Sequence, residues 1–95
     1  MYAVIRQYLG ASQLFDELAR REQDVRQVLQ GVPGFVAYYL MRSDDGGASI
    51  TICQDQAGTA ESTRRASEWV RQNVPAAIGN PPEVTEGEVL YNFSA

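Results

Sequence analysis

The side chains able to do chemistry in this 95-residue chain form a short set, and its gaps are as informative as its members. There is no histidine, which removes the usual neutral-pH acid and base, the commonest transition-metal ligand and the axial imidazole of many haem sites. Arg6 is the charge with the sharpest placement, since it lies between Val4 and Tyr8 on one face of an apolar segment. Once covered, a guanidinium needs a partner. That partner is either a ligand or Glu86 or Glu88 of a last strand lying beside the first. Tyr8, Tyr38 and Tyr39 offer phenol donors, while Trp69 and Asn73, one helical turn apart, offer an indole N–H and a carboxamide. Such groups can hold an aromatic molecule dry and stabilise an anion formed from it. No metal site and no cofactor are expected from this set. A base is not evident: Asp55 and Glu68 are the carboxylates to weigh, and both have solvent-like neighbours. Plainer roles stand beside these, with Trp69 as a core anchor and Asn73 bonding backbone or water near a helix end.

These groups need elements to carry them. Residues 2–9 are β-branched and aromatic and stop at Gly10, which predicts a strand. Its two faces, Tyr2, Val4, Arg6, Tyr8 and Ala3, Ile5, Gln7, Leu9, are both largely apolar. Ser12 stands where an N-cap belongs, and Leu14, Leu18, Val25, Val28, Leu29 and Val32 follow at helical spacing. Gly31 and Val32-Pro33-Gly34 end this helix after about five turns. Residues 35–42 and 48–55 read as strands. The Ser43-Asp44-Asp45-Gly46-Gly47 segment between them is a tight hairpin rather than a phosphate loop, because a strand and not a helix start follows it. Thr59 is placed to cap a second helix carrying Ala66, Trp69, Val70, Asn73 and Val74, closed by Pro75 and Gly79. The stretch Gly79-Asn80-Pro81-Pro82 reads as an extended loop, and residues 83–93 as a last strand whose Glu86 and Glu88 blunt an exposed edge.

The order is therefore β-α-β-β-α-β, an α+β ferredoxin-like arrangement in a single domain over residues 1–95. Right-handed crossovers place two helices on one face of a four-stranded antiparallel sheet and leave the other face bare. That bare face is apolar enough to call for a second copy on a two-fold axis, so a homodimer through the sheet face is expected.

Composition narrows the partners. A net charge of −4, with eight scattered arginines and no lysine, argues against nucleic acid, whose phosphates require clustered cations. Hydrophobic residues make up 44% and charged residues 21% of the chain, as in an ordinary globular protein. No run approaches the roughly 20 apolar residues of a membrane span. The first residues show no basic leader with an apolar core, so a cytoplasmic location is expected. A lone Cys53 within a strand reads as a small buried apolar side chain.

The segments Phe35-Val36-Ala37-Tyr38-Tyr39, Ile50-Thr51-Ile52-Cys53-Gln54-Asp55 and Ala60-Glu61-Ser62-Thr63-Arg64-Arg65-Ala66-Ser67-Glu68-Trp69-Val70 resemble the antibiotic biosynthesis monooxygenase-like group of the dimeric α/β barrel superfamily. The likeness runs from Met1 to about Leu90. It includes the Gly-Phe-x-x-Tyr lead into the second strand, the acidic residue after the third and the tryptophan of the second helix. The resemblance implies a homodimer with a pocket between helices and sheet in each subunit and, in some members, cofactor-free oxidation of phenolic or quinol-type molecules by O₂. Other similar proteins degrade haem with Asn, Trp and His. This chain has Trp69 and Asn73 but no histidine, and it carries Arg6 or Tyr8 where those relatives have Asn. The expected substrate-binding residues are Arg6, Tyr8, Tyr39, Trp69 and Asn73, around a small apolar aromatic ligand. A small oxygenase, a non-catalytic ligand-binding or stress-type dimer, and a purely structural protein with a filled pocket remain three distinct readings.

Overall fold

Alternation along the N-terminal run sorts its side chains onto two faces of a strand, and the computed structural model, which describes residues 1–75 and 81–95, pairs that strand on both sides. The elements follow as β1 (Tyr2–Leu9), α1 (Ser12–Arg20), α2 (Glu22–Gln30), β2 (Phe35–Ser43), β3 (Gly46–Cys53), α3 (Gln56–Asn73) and β4 (Glu83–Glu88). The sheet is antiparallel throughout, in the order β2-β3-β1-β4. The first and last strands are thus neighbours, as the sequence predicts, and β2 and β4 form the edges.

Register decides which residues share a face. Leu40, Ser49, Arg6 and Val84 form one row, flanked by Tyr38, Thr51, Val4 and Glu86 on one side and by Arg42, Gly47 and Tyr8 on the other. These rows face the helices. The opposite face carries Ala37, Ile52 and Ala3; Tyr39, Ile50 and Ile5; and Met41, Ala48 and Gln7. Tyr39 is 59% and Met41 54% exposed there.

The single long helix expected after β1 is two helices. Arg21 leaves helical geometry at φ −120°, ψ 42°, closing α1 and opening α2. Nothing local announces the break, since Ala19-Arg20-Arg21-Glu22 are all good helix formers; tertiary packing overrides propensity. The break lets α1 bury Leu14 and Phe15 against the sheet and α2 bury Leu29, while the Arg21 guanidinium lies 5.7 Å over the Trp69 ring of α3. Among the described residues the helical layer therefore holds three helices, not two.

Both expected caps move. The residue before α1 is Ala11, with no side-chain cap bond. Helix α3 begins at Gln56, capped by Asp55, whose Oδ1 accepts from the Gly58 N–H at 3.1 Å. Thr59 instead donates its hydroxyl to the Gln56 carbonyl within the first turn. Gly58 is there because α3 lies almost on the sheet: a Cβ at that position would stand 2.7 Å from Cys53 Cβ and 2.8 Å from the Pro33 carbonyl oxygen.

The hairpin forms as expected, with Ser43 paired to Gly46 across Asp44-Asp45, and β3 starts two residues earlier than the sequence suggests. Gly46 takes the positive φ, 137°, that the turn requires. The last strand ends at Glu88 rather than residue 93, with one further bond from Val89 N–H to the Met1 carbonyl. Its residues are exposed throughout, as an edge carrying Glu83, Glu86 and Glu88 should be. Gly79 and Asn80, taken as helix stop and loop, lie outside the described residues.

Candidate functional site

The row that β1 and β3 hold beneath the helices contains the buried cation. Arg6 is only 3% exposed, and its guanidinium is held by three hydroxyls. Nη1 donates to Ser49 Oγ at 3.1 Å, and Nη2 donates to Ser62 Oγ at 3.1 Å and Thr63 Oγ1 at 3.2 Å. Ser62 is oriented for this, because its own proton goes to the Thr59 carbonyl at 2.7 Å and leaves its lone pairs toward Arg6. The Nε atom has no partner among the described residues. No carboxylate reaches ion-pair distance among the described residues.

The pairing with Glu86 or Glu88 allowed by the sequence is not made. Register sets Val84 opposite Arg6 and Glu86 opposite Val4, and Glu86 accepts instead from Gln56 Nε2 at 3.3 Å. Burial pulls Arg6 below its ordinary value, opposed by the nearby Tyr8, Tyr38, Cys53 and Glu86. Burial also pushes the Tyr8 and Tyr38 hydroxyls above theirs, with Arg6 pulling the other way. Both phenols therefore stand protonated at neutral pH, as donors beside a cation.

Above this polar floor lies a cleft. Its inner part, with about 40 Å³ of free space, has Arg6, Tyr8, Tyr38 and Ser49 at the base. Leu14 and Leu18 of α1, Val25, Val28 and Leu29 of α2, and Ala66, Trp69 and Val70 of α3 form its apolar walls. A wider cleft of about 540 Å³ runs between α2 and β2 and shares Leu18, Val25, Leu29, Tyr38 and Leu40 with the inner one. The aromatic geometry follows from a glycine. Gly47 lies beside Tyr8 on the helix-facing side and leaves room for the Phe15 ring, which meets Tyr8 edge-on at 5.9 Å.

Of the residues expected at the site, the structure brings Arg6, Tyr8 and Trp69 together around the inner cleft. Tyr39 faces the other side of the sheet and reaches only the wider cleft, at the β2 edge. Asn73 borders neither: its amide donates to the Trp69 carbonyl at 2.9 Å and accepts from Arg21 at 3.4 Å, which ties α3 to the helix break. The two weighed carboxylates serve structure. Asp55 caps α3, and Glu68 accepts from Arg64 at 3.1 Å. The hydroxyls that hold Arg6 were missed, although Ser49 and Thr51 interrupt an apolar strand at alternate positions; only the strand register shows that Ser49 faces Arg6. Among the described residues no group of three His, Cys, Asp or Glu side chains is placed to hold a metal ion, and no helix is long and apolar enough to cross a membrane.

No protein-family model and no curated protein matches the chain. Solved structures do. A protein of unknown function from Nitrosomonas europaea is 16% identical with a TM-score of 0.71, covering 99% of this chain and 92% of its own. The monooxygenase ActVA-Orf6 of Streptomyces coelicolor, in complex with the ligand nanaomycin D, is 19% identical at 0.60, covering 99% and 90%. The heme-degrader MhuD of Mycobacterium tuberculosis, with two hemes in its active site, is 17% identical at 0.59, covering 99% and 100%. The fold is accordingly the α+β ferredoxin-like fold that these structures share.

Proposed function

We propose that this chain binds a small aromatic or quinol-type molecule between its helices and sheet and oxidises it with O₂ without a cofactor, as one half of a homodimer. The observation that carries the reading is the cleft itself: apolar and aromatic walls over a floor whose buried cation has no counter-charge among the described residues. Apolar walls exclude water, and a fixed positive charge in such surroundings stabilises an oxyanion that develops on the bound molecule. Arg6 supplies that charge, Tyr8 and Tyr38 supply donors, and Trp69 supplies a flat wall. The similarity to a monooxygenase holding nanaomycin D supports the reading.

The partner copy covers the sheet face opposite the helices, which carries the exposed Tyr39 and Met41 and the part-buried Ile5, Ile50 and Ile52. The compartment proposed is the cytoplasm, consistent with one buried free thiol. The test is oxygen uptake by the purified protein with a panel of hydroquinones and anthrones. Uptake that persists unchanged when Arg6, Tyr8 and Trp69 are replaced in turn in a still-folded protein overturns the assignment. A second reading, a binding dimer without catalysis, is favoured by one observation: among the described residues no carboxylate lines the inner cleft to act as a base. Binding without oxygen uptake selects it.

A further inference from the structure

We propose that the cleft takes its ligand as a preformed oxyanion, a weak acid that reaches Arg6 without its proton, with the charged oxygen at the polar floor and the apolar body toward the wider cleft. This rests on the reading of the cleft as a ligand site. Two features of the molecule lead to it. Arg6 is a nearly enclosed cation whose hydrogen bonds go only to neutral hydroxyls, and three hydroxyls satisfy N–H groups without offsetting charge. Removing such a cation from water costs far more than neutral donors and acceptors return, so a ligand that brings the missing negative charge gains what the protein leaves unspent.

The second feature is the lack of a group to receive a proton. Arg6 is already protonated, and Tyr8 and Tyr38, the titratable groups nearest it on β1 and β2, are protonated as well. From β3 it senses only the Cys53 thiol, and from β4 the Glu86 carboxylate, which belongs to Gln56 and an exposed strand. Helix α3 contributes hydroxyls, Ala66 and Trp69; α1 and α2 contribute aliphatic side chains to the inner cleft, with Glu22 confined to the wider one and bonded to Arg26 at 2.9 Å. An acid HL therefore binds as L⁻, and its proton leaves to solvent rather than to a side chain. The catalytic reading then needs no protein base.

Calorimetric titration of the full chain with 4-nitrophenol and 4-cyanophenol across a pH series tests this, since the two phenols ionise at different pH. The expected result is an affinity that rises with pH by at least about tenfold and levels off as each phenol ionises, the midpoint moving with the phenol. Below that midpoint each binding event releases one proton, read from the dependence of the heat on buffer. 4-Nitroanisole, which cannot ionise, binds no better than the neutral phenol, and 4-methylbenzoate shows whether carboxylates are accepted as well as phenolates. Arg6→Met is expected to remove the preference for the anion; should that variant not fold, the wild-type series decides alone. A midpoint that stays fixed when the phenol is changed, or nitroanisole binding as tightly as nitrophenolate, overturns the proposal while leaving the cleft a ligand site. If none of the four probes binds, the cleft reading itself falls.

Discussion

At the scale of the residue, Arg6 sets a conflict between stability and use. A buried guanidinium without a carboxylate carries an uncompensated desolvation cost, so an apolar side chain of similar length in its place need not destabilise the fold. We expect Arg6→Met to keep or raise the urea midpoint of the unliganded protein while the preference for an anionic ligand is lost, the usual cost at a functional site. A drop of several kcal/mol would instead make Arg6 a structural hub for Ser49, Ser62 and Thr63. The neighbouring phenols give a pH prediction. Because burial raises the Tyr8 and Tyr38 values above 10 in the folded state, the native protein holds their protons longer than the unfolded chain does. Stability from this source is complete below about pH 10 and declines as pH rises further, toward the folded-state values. Urea midpoints measured through the alkaline range should fall, and fall less steeply in Tyr8→Phe and Tyr38→Phe. The sequence disclosed Arg6 as the charge out of place. It did not disclose what surrounds it, because Ser62 and Thr63 arrive from a helix more than fifty residues away and only the packed fold brings them within 3.2 Å.

Among the elements, α3 shows how closely a helix can lie on a sheet and what enforces it. Its N-terminal half meets β3 through Gly58, Thr59 and Ser62, all buried. Gly58→Ala would press a methyl against Cys53 Cβ and the Pro33 carbonyl, neither of which can swing aside. A loss of about 1–3 kcal/mol is expected in chemical denaturation. Asp55→Ala removes the only side-chain cap of that helix and should cost about 1 kcal/mol, whereas Asp55→Asn should cost much less. Period and turn chemistry were sufficient to find the four strands of the described residues and their order along the chain, since hydrophobic alternation and Asp-Gly turns are local signals. They were insufficient for the break at Arg21, which no glycine or proline marks and which a contact with Trp69, 48 positions further on by residue number, accompanies. The same blindness displaced the α3 cap from Asp55 to Thr59: both residues suit an N-cap, and only the length of the preceding strand chooses between them.

For the whole molecule, the decisive asymmetry is between the two sides of one sheet. Helices α1, α2 and α3 sit on one side, and the exposed Tyr39 and Met41 with the part-buried Ile5, Ile50 and Ile52 lie on the other. A patch of this kind is characteristic of an interface, and sedimentation should find a dimer at micromolar concentration. Ile5→Asp should yield monomers, because the proposed partner would bury an unpaired charge; a wild-type monomer at high micromolar concentration would remove the dimer from the proposal. The enclosure of Cys53 has a further use. Its side chain is entirely hidden where β3 meets α3, and it is the only thiol in the chain. Alkylating or disulfide-exchange reagents can reach it only when helix and sheet separate. The speed at which the sulfur becomes labelled is therefore a stopwatch for that separation, legible with no engineered probe, and any molecule that settles over Arg6 should make it run slower.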